Sequence, residues 1–438
     1  MDALKGILPD TAALTPEGHL SVGGCDLVEL AGEYGTPLYV YDEASIRARA
    51  GAYREALREA YPGAALVCYA AKAYCAPWLL RIVDEEGLGL DVVSGGELYA
   101  ARVSGFPLRR VYFHGNNKAE PELQMALESG VGRVVVDNLE EIERLGGLAA
   151  DVGARQPVLL RVAPGVEAHT HEHIKTGVLD TKFGLSIQAG AAEEAVRRIV
   201  ATPTLDLLGL HAHIGSQIFE LEPYGETIAR VFAFAAEMRD RVGLQLRELS
   251  PGGGFGMRYT AADDPMPAAD VVRFVARCVG EAASAAGFAL PALSIEPGRS
   301  IVGPAAVATY RVGSIKEIPG VRTYVAVDGG MADNIRPATY GAVYSALLAN
   351  RASEPADATV ALAGKYCESG DVLIRAAKLP LPRVGDLVAV PGSGAYQLAM
   401  ASNYNLAPRP AVVVVKDGRA RLVRRPESYA DLLRNELT

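Results

Sequence analysis

The sequence predicts a (β/α)8 barrel joined to an all-β domain. Three observations carry that reading. Between about residues 65 and 297, eight short apolar runs alternate with longer amphipathic stretches at near-equal spacing, which suits a closed barrel better than an open doubly wound sheet. After residue 300 the pattern changes to short β-rich runs broken by Gly and Pro. There, Asp417-Gly418 stands between two alternating runs, a strong hairpin signal.

The expected barrel strands are 65–71, 89–93, 111–114, 133–137, 157–163, 205–213, 246–250 and 292–296. The stretches 77–86, 95–104, 119–129, 139–150, 188–201, 223–242 and 268–287 are rich in Ala, Leu, Glu and Arg. They place apolar residues at i, i+3 and i+4, so helices are expected there. In the β domain the expected strands are Val307–Ile315, Arg322–Val327, Thr359–Ala363, Leu387–Pro391, Ala411–Lys416 and Arg419–Arg424. Leu38-Tyr39-Val40-Tyr41 precedes the barrel and is expected to pair with them. The domains so read are a barrel over 42–297 and a β domain built from 1–41 plus 298–438.

Half of the 438 residues are hydrophobic and 22% are charged, enough apolar surface for a large core. The net charge of −9 argues against a nucleic-acid or anionic-membrane surface. Cys25, Cys68, Cys75, Cys278 and Cys367 form no CxxC pair, which disfavours a zinc knuckle or disulfide framework and fits a reducing cytoplasm. No run approaches 18 apolar residues, and the first residues lack the pattern of a signal peptide.

The active site of such a barrel lies at the C-terminal ends of its strands. Those ends carry Lys72, Asp91, His114, His213, Gly252-Gly253-Gly254 and Glu296. A lysine finishing an apolar strand is partly desolvated, which favours the free amine needed for Schiff-base chemistry. The glycine loop follows strand seven, where barrels commonly hold phosphate, and consecutive N–H groups can cradle an anion. Glu296-Pro297-Gly298-Arg299 ends strand eight. An amine, a phosphate cradle and a carboxylate together point to pyridoxal 5′-phosphate. Lys72 would hold it covalently, the glycine loop and Gly298 would hold its phosphate, Glu296 would keep the pyridine nitrogen protonated, and His213 would stack on the ring. His211-Ala212-His213 and the alternating His169, His171 and His173 allow a metal reading. A metal-dependent barrel hydrolase calls for HxH at the first strand and aspartate at the eighth, so no metal is expected here. In the β domain, Cys367 beside Glu368 in a Gly-bounded loop suits a proton donor, and Arg336 offers a carboxylate fork.

The motifs Tyr69-Ala70-Ala71-Lys72-Ala73, Thr181-Lys182-Phe183-Gly184, Gly209 through Gln217, Gly252–Gly256, Glu296–Ser300, Asp328-Gly329-Gly330-Met331, Cys367 through Asp371 and Gly394-Ala395-Tyr396 resemble the diaminopimelate decarboxylase family over about residues 34–405. The resemblance implies loss of the carboxylate at the D-centre of meso-2,6-diaminopimelate, giving L-lysine. It implies that Lys72 is the cofactor lysine. Ser216, Gly254, Glu296 to Arg299 and Tyr396 would contact cofactor phosphate and ring, and Arg299, Arg336, Tyr340, Glu368 and Tyr396 the substrate. Cys367 would deliver a proton to the site of the partner subunit in a homodimer. Relatives acting on ornithine, arginine or carboxynorspermidine share the lysine, glycine-loop and cysteine features. Arg336-Pro337 followed by Tyr340 resembles the pattern for a substrate with a second carboxylate.

Overall fold

The computed structural model describes residues 4–166 and 182–437; His169, His171, His173 and Thr181 lie outside the described residues. The chain forms two compact units. One comprises 49–256 and 265–298. The other comprises the first 48 residues, 257–264 and 299 onward.

The first unit is a closed parallel barrel. Its strands are β1 (Ala65–Ala70), β2 (Gly89–Val92), β3 (Val111–Phe113), β4 (Arg133–Val136), β5 (Gln156–Ala163), β6 (Leu205–His211), β7 (Glu248–Ser250) and β8 (Ala292–Ile295). Each pairs in parallel with the next, and β8 closes on β1 through Leu293↔Ala65, Ser294↔Leu66 and Ile295↔Val67. The strands are almost wholly buried because helices cover their outer faces, which is why they read as continuous apolar runs. The helices begin and end on local signals. Ser94 and Asn138 accept from the N–H groups of Glu97 and Glu141 as N-caps, Pro77 stands at the first helical position, and Gly130 and Gly243 end helices in the left-handed conformation.

Inside the barrel, Cys68, Tyr112, Val135 and Leu159 form an apolar layer. Beside it Glu248 accepts from Tyr112 Oη at 2.6 Å and Arg133 Nε at 2.7 Å, which satisfies a buried carboxylate. Gly209 of β6 lies so close to β7 that a Cβ would sit 1.7 Å from the Glu248 carbonyl oxygen.

Two strand ends differ from the sequence reading. β1 stops at Ala70, whose N–H donates to the Pro297 carbonyl, and Lys72 lies on the 3-10 turn Ala71–Ala73. β6 stops at His211, two residues before His213, because the chain turns there toward the glycine loop.

In the second unit, β9 (Ala306–Ile318) is the organising strand. Its first half pairs with β13 (Leu387–Pro391) and, antiparallel, with the strand Leu38–Asp42; its second half pairs with β10 (Arg322–Val327). β11 (Ala358–Ala363) joins β10 in parallel, and β12 (Val372–Leu379) joins β11 antiparallel. On the other side Leu38–Asp42 pairs with β14 (Ala411–Lys416), which forms a hairpin with β15 (Arg419–Arg424). Asp417 and Gly418 both have positive φ, 50° and 72°, as a two-residue type I′ turn requires. β12 escaped the sequence reading: Arg375, Ala376, Ala377 and Lys378 carry little β propensity, and pairing with β11 imposes the conformation. The helix Glu43–Ala60 was likewise unassigned.

Gly209→Ala tests the barrel register. Making room for the methyl group requires parting β6 from β7, at a cost of about 2 kcal/mol, so the thermal midpoint should fall by roughly 5 °C. An unchanged midpoint would contradict the β6–β7 pairing.

Candidate active site

Five strand ends of the barrel converge on Glu296, which directly follows β8 and is buried. Ser250 Oγ, at the end of β7, donates to Glu296 Oε1 at 2.7 Å. His211 Nε2, at the end of β6, lies 3.2 Å from the same carboxylate. His114, just past β3, places Nε2 3.7 Å from Glu296 and 3.6 Å from Asp91 of β2. The two imidazoles meet edge to face, with centroids 4.8 Å apart.

Burial would raise the Glu296 pKa, but the His211 imidazole outweighs it and holds the carboxyl well below its usual range. Glu296 is therefore a carboxylate sealed from water. His114 and His213 are driven well below the usual histidine range, by burial first and then by neighbouring cations, so both are neutral near pH 7. Burial pushes Asp91 up to about 8, against the pull of the Lys72 ammonium. Arg161 of β5 is buried 3.8 Å from Asp137 and stacks 4.6 Å from the Phe183 ring.

The lysine turn and the loops around it are fixed by close backbone approach. A Cβ on Gly298 would lie 2.9 Å from both Ala70 Cβ and Ala70 O, so only glycine lets the chain after Glu296 lie against the Lys72 turn. Gly254, with φ of +92°, would place a Cβ 2.1 Å from the Gly215 carbonyl oxygen beside Ser216. The glycine loop is more internally engaged than a free anion nest. The Gly253 N–H meets His213 Nδ1 at 3.2 Å, and the Gly252 N–H meets Ser250 Oγ at 3.2 Å. His213 is thus tied to the loop by a neutral, proton-accepting Nδ1.

Among the described residues, three buried atoms around Glu296 have no hydrogen-bond partner: Asp91 Oδ1, His114 Nε2 and His211 Nδ1. Unsatisfied polar atoms at one barrel end call for a polar ligand. An ionised carboxylate there suits a cationic ring nitrogen, and Lys72 nearby suits an aldehyde carbon, so the residues fit pyridoxal 5′-phosphate. His114, His211 and Glu296 also bring one ligand atom each within 4.8 Å of the others, the geometry of a possible metal triad.

The β unit holds a second cluster. Arg299 Nη1 donates to Tyr259 Oη at 2.6 Å, and its guanidinium stacks 4.6 Å from the Tyr396 ring. Arg336 Nη1 donates to Tyr344 Oη at 2.5 Å, and its guanidinium stacks 5.0 Å from the Tyr259 ring. Both arginines are buried, and Arg336 has no carboxylate partner among the described residues. Burial would raise the Tyr259 pKa, but the two guanidinia hold it below its usual value. Tyr396 has φ of 60°, a conformation costly outside glycine. Tyr340 ends the short helix Arg336–Tyr340 and is half-buried.

Cys367 and Glu368 are exposed on a loop that Asp371 organises. The Asp371 carboxylate accepts from the N–H groups of Met331 at 2.7 Å and Tyr366 at 2.8 Å. It fills the space where a Cβ on Gly330 or Gly364 would stand. Asp328-Gly329-Gly330-Met331 and Cys367 through Asp371 are thus two halves of one structural device.

Comparison with known proteins decides the family. The profile described as "Pyridoxal-dependent decarboxylase, pyridoxal binding domain" matches residues 43–303. The chain is 50% identical over 430 residues to the diaminopimelate decarboxylase of Bacillus subtilis (strain 168), covering 98% of both chains. The crystal structure of diaminopimelate decarboxylase from M. jannaschii in complex with L-lysine superposes with a TM-score of 0.91, at 33% identity and 98% coverage of both chains. The chain belongs to the diaminopimelate decarboxylase family. Its members are pyridoxal-dependent carboxy-lyases. A lysine/ornithine decarboxylase from Vibrio vulnificus, at 24% identity and a TM-score of 0.75 over 92% of this chain and all of that one, shares the fold alone.

Among the site residues, Ser250, Arg161, Tyr259 and Tyr344 were not singled out from sequence as site groups, His211 was weighed only within the His211-Ala212-His213 metal reading, and His114 was noted only as a strand end. His114, His211 and Ser250 were findable, since each stands at or just past the end of a barrel strand with a side chain directed inward. Tyr259 lies in an irregular segment that no periodicity marks.

Glu296→Gln keeps the shape and removes the charge. Cofactor should remain bound while turnover falls by about 10²-fold or more, the scale of losing one electrostatic stabiliser. Steady-state rates beside the cofactor absorbance measure both, and full turnover at full occupancy would refute the role.

Proposed function

We propose that this chain removes the D-centre carboxylate of meso-2,6-diaminopimelate as CO2 and leaves L-lysine. The observation that carries the substrate choice is Arg336, a buried guanidinium held by a phenol and with no carboxylate of the protein beside it among the described residues. A buried fork without an anion is built for an anion that arrives with the substrate. The neighbouring Arg299 offers a second guanidinium.

Bound pyridoxal 5′-phosphate supplies the electron sink for the pair left behind when CO2 departs. Lys72 is the residue that would hold the cofactor, on a turn fixed by Gly298. Glu296 would keep a proton on the ring nitrogen, and His213 would lie against the ring. Ser216, Gly254, Gly298 and Arg299 would bind the phosphate, with Gly253 holding His213 in place and Tyr396 flanking Arg299. Arg299 and Arg336 would bind substrate carboxylates, with Tyr340, Glu368 and Tyr396 around them. Cys367 would return a proton to the carbon that lost CO2. Its exposure sets it apart from the buried or half-buried Cys25, Cys68, Cys75 and Cys278, and supports service to a second copy of the chain in a homodimer. A cytoplasmic setting agrees with five unpaired thiols. Among the described residues no helix is long and apolar enough to cross a membrane.

Release of CO2 across candidate amino acids tests the substrate. Ornithine and lysine, presented as substrates, bring no distal carboxylate and leave a buried guanidinium unpaired at about 2–5 kcal/mol, so both should be poorer than meso-diaminopimelate by about 10²-fold or more. Comparable turnover of ornithine would favour a basic-amino-acid decarboxylase instead.

The shared site is tested by complementation. Lys72→Ala and Cys367→Ala homodimers should each be nearly inactive. Subunit exchange should restore at most about one quarter of wild-type activity, because half the dimers are mixed and each has one intact site. No recovery after verified exchange would place Lys72 and Cys367 in the same chain's site.

A further inference from the structure

Residues 257–264 follow the glycine loop in sequence yet belong to the β unit. They form a turn that Asp263 closes. Asp263 Oδ2 accepts from the Tyr259 N–H at 3.0 Å, the Thr260 N–H at 2.8 Å and the Thr260 hydroxyl at 3.2 Å. The Asp263 carbonyl accepts from Arg258 Nε at 2.7 Å. Of residues 258–264, Tyr259 alone is buried; Ala261, Ala262 and Asp264 are exposed. The turn therefore delivers a single side chain into the β unit.

That side chain braces Arg336. The Arg336 guanidinium lies 5.0 Å from the Tyr259 ring centroid and donates from Nη1 to Tyr344 Oη. The Tyr259 and Tyr344 rings meet edge to face, with centroids 5.2 Å apart and planes at 83°. Ser345 Oγ, next in the chain to Tyr344, donates to the Tyr259 carbonyl at 3.1 Å. The two tyrosines are thus tied together twice, once through their rings and once through Ser345. A ring face and a phenol hold a guanidinium whose long side chain would otherwise sample many rotamers. The ring face is only as fixed as the backbone that carries it, and the Asp263 turn is what fixes that backbone.

We infer that Asp263, acting through Tyr259, is a positioning residue that sets the Arg336 guanidinium for the carboxylate the product retains, resting on the reading of Arg336 as the substrate fork. Removing the Asp263 carboxylate frees three donors at the base of the turn. The Tyr259 ring then loses its fixed seat under Arg336, and a ligand carboxylate must order the guanidinium at its own expense. A ligand without a carboxylate makes no use of the fork and is indifferent to the loss.

The Asp263→Ala holoenzyme tests this. The KM for meso-diaminopimelate should rise about fivefold with kcat within about twofold. L-Lysine binding, measured calorimetrically, should weaken by a similar factor, and binding of cadaverine, which has no carboxylate, should stay within about twofold. Loss of a negative charge alone would do the reverse, favouring the carboxylate of lysine and disfavouring the cadaverine dication. Tyr61→Phe is the packing control. It deletes an equally buried hydroxyl, bonded to the Pro291 carbonyl in the barrel unit, and should leave both ligands within about twofold. Tyr259→Leu, which removes the ring, should weaken lysine about tenfold, and Tyr259→Phe, which keeps it, should bind lysine about fivefold more tightly than Tyr259→Leu. An unaltered Asp263→Ala enzyme, equal weakening of lysine and cadaverine, or Tyr259→Phe no better than Tyr259→Leu would overturn the inference. Wild-type protein inactive on meso-diaminopimelate would instead overturn the proposed substrate. Should Asp263→Ala not fold, Ser345→Ala loosens the same tyrosine and should give the same pattern.

Discussion

An ionised carboxylate kept out of water is the constraint on which the barrel end depends. Burying a charge costs several kcal/mol unless hydrogen bonds and opposite dipoles replace its hydration. Glu296 obtains those replacements from Ser250, His211 and His114, which belong to β7, β6 and the chain just past β3. Residues from strands so far apart in sequence meet only if the sheet closes. In an open sheet of the same strand order, the groups from β3 and β6 could not face one carboxylate. Closure is therefore the means by which Glu296 remains charged where a protein interior would otherwise protonate it.

Closure in turn depends on what fills the barrel and on what pins its loops. The Tyr112, Arg133 and Glu248 cluster satisfies the polar atoms within the barrel, and Cys68, Val135 and Leu159 pack beside it. Beside the C-terminal ends of β3 and β4, the Lys118 ammonium is almost fully buried. It donates to the Gly115 and Val135 carbonyls at 2.8 and 2.7 Å and to Glu141 at 2.7 Å. Gly115 follows His114 directly, so this clip fixes the backbone from which one of the Glu296 partners hangs. Removing either member of such a pair strands a buried charge, and the disturbance would reach His114 along one peptide bond.

The repeating unit of the barrel was legible because each strand is buried on both faces and each helix on one, and those two periodicities differ in sequence. The hairpin at Asp417-Gly418 was legible because few residue pairs accept two consecutive positive φ angles. Lys72 and Glu296 were legible as charged residues interrupting apolar strands at their ends. Legibility failed where partners are set by tertiary contact. β12 is a strand because β11 pairs with it, not because Arg375 to Lys378 prefer to be extended. The glycine loop looked like an anion nest, yet Gly252 and Gly253 spend their N–H groups on Ser250 and His213. The glycines are required instead by the carbonyls pressed against them, which no local pattern reveals. Tyr259 and Tyr344 carry no sequence signal at all, since a tyrosine beside an arginine is recognised only once both are placed.

Those tyrosines explain how Arg336 can be buried without a carboxylate partner among the described residues. A carboxylate partner would satisfy the Arg336 guanidinium but would also occupy the fork and compete with any arriving anion. A phenol accepts one N–H bond and offers a ring face, which offsets part of the desolvation cost while leaving the other donors open. Tyr259 serves both arginines, accepting an N–H from Arg299 and offering its ring face to Arg336, and Tyr396 and Tyr344 complete the pair. For Arg336 the remaining desolvation cost amounts to a standing preference for an anion, since its phenol and ring contacts offset only part of it.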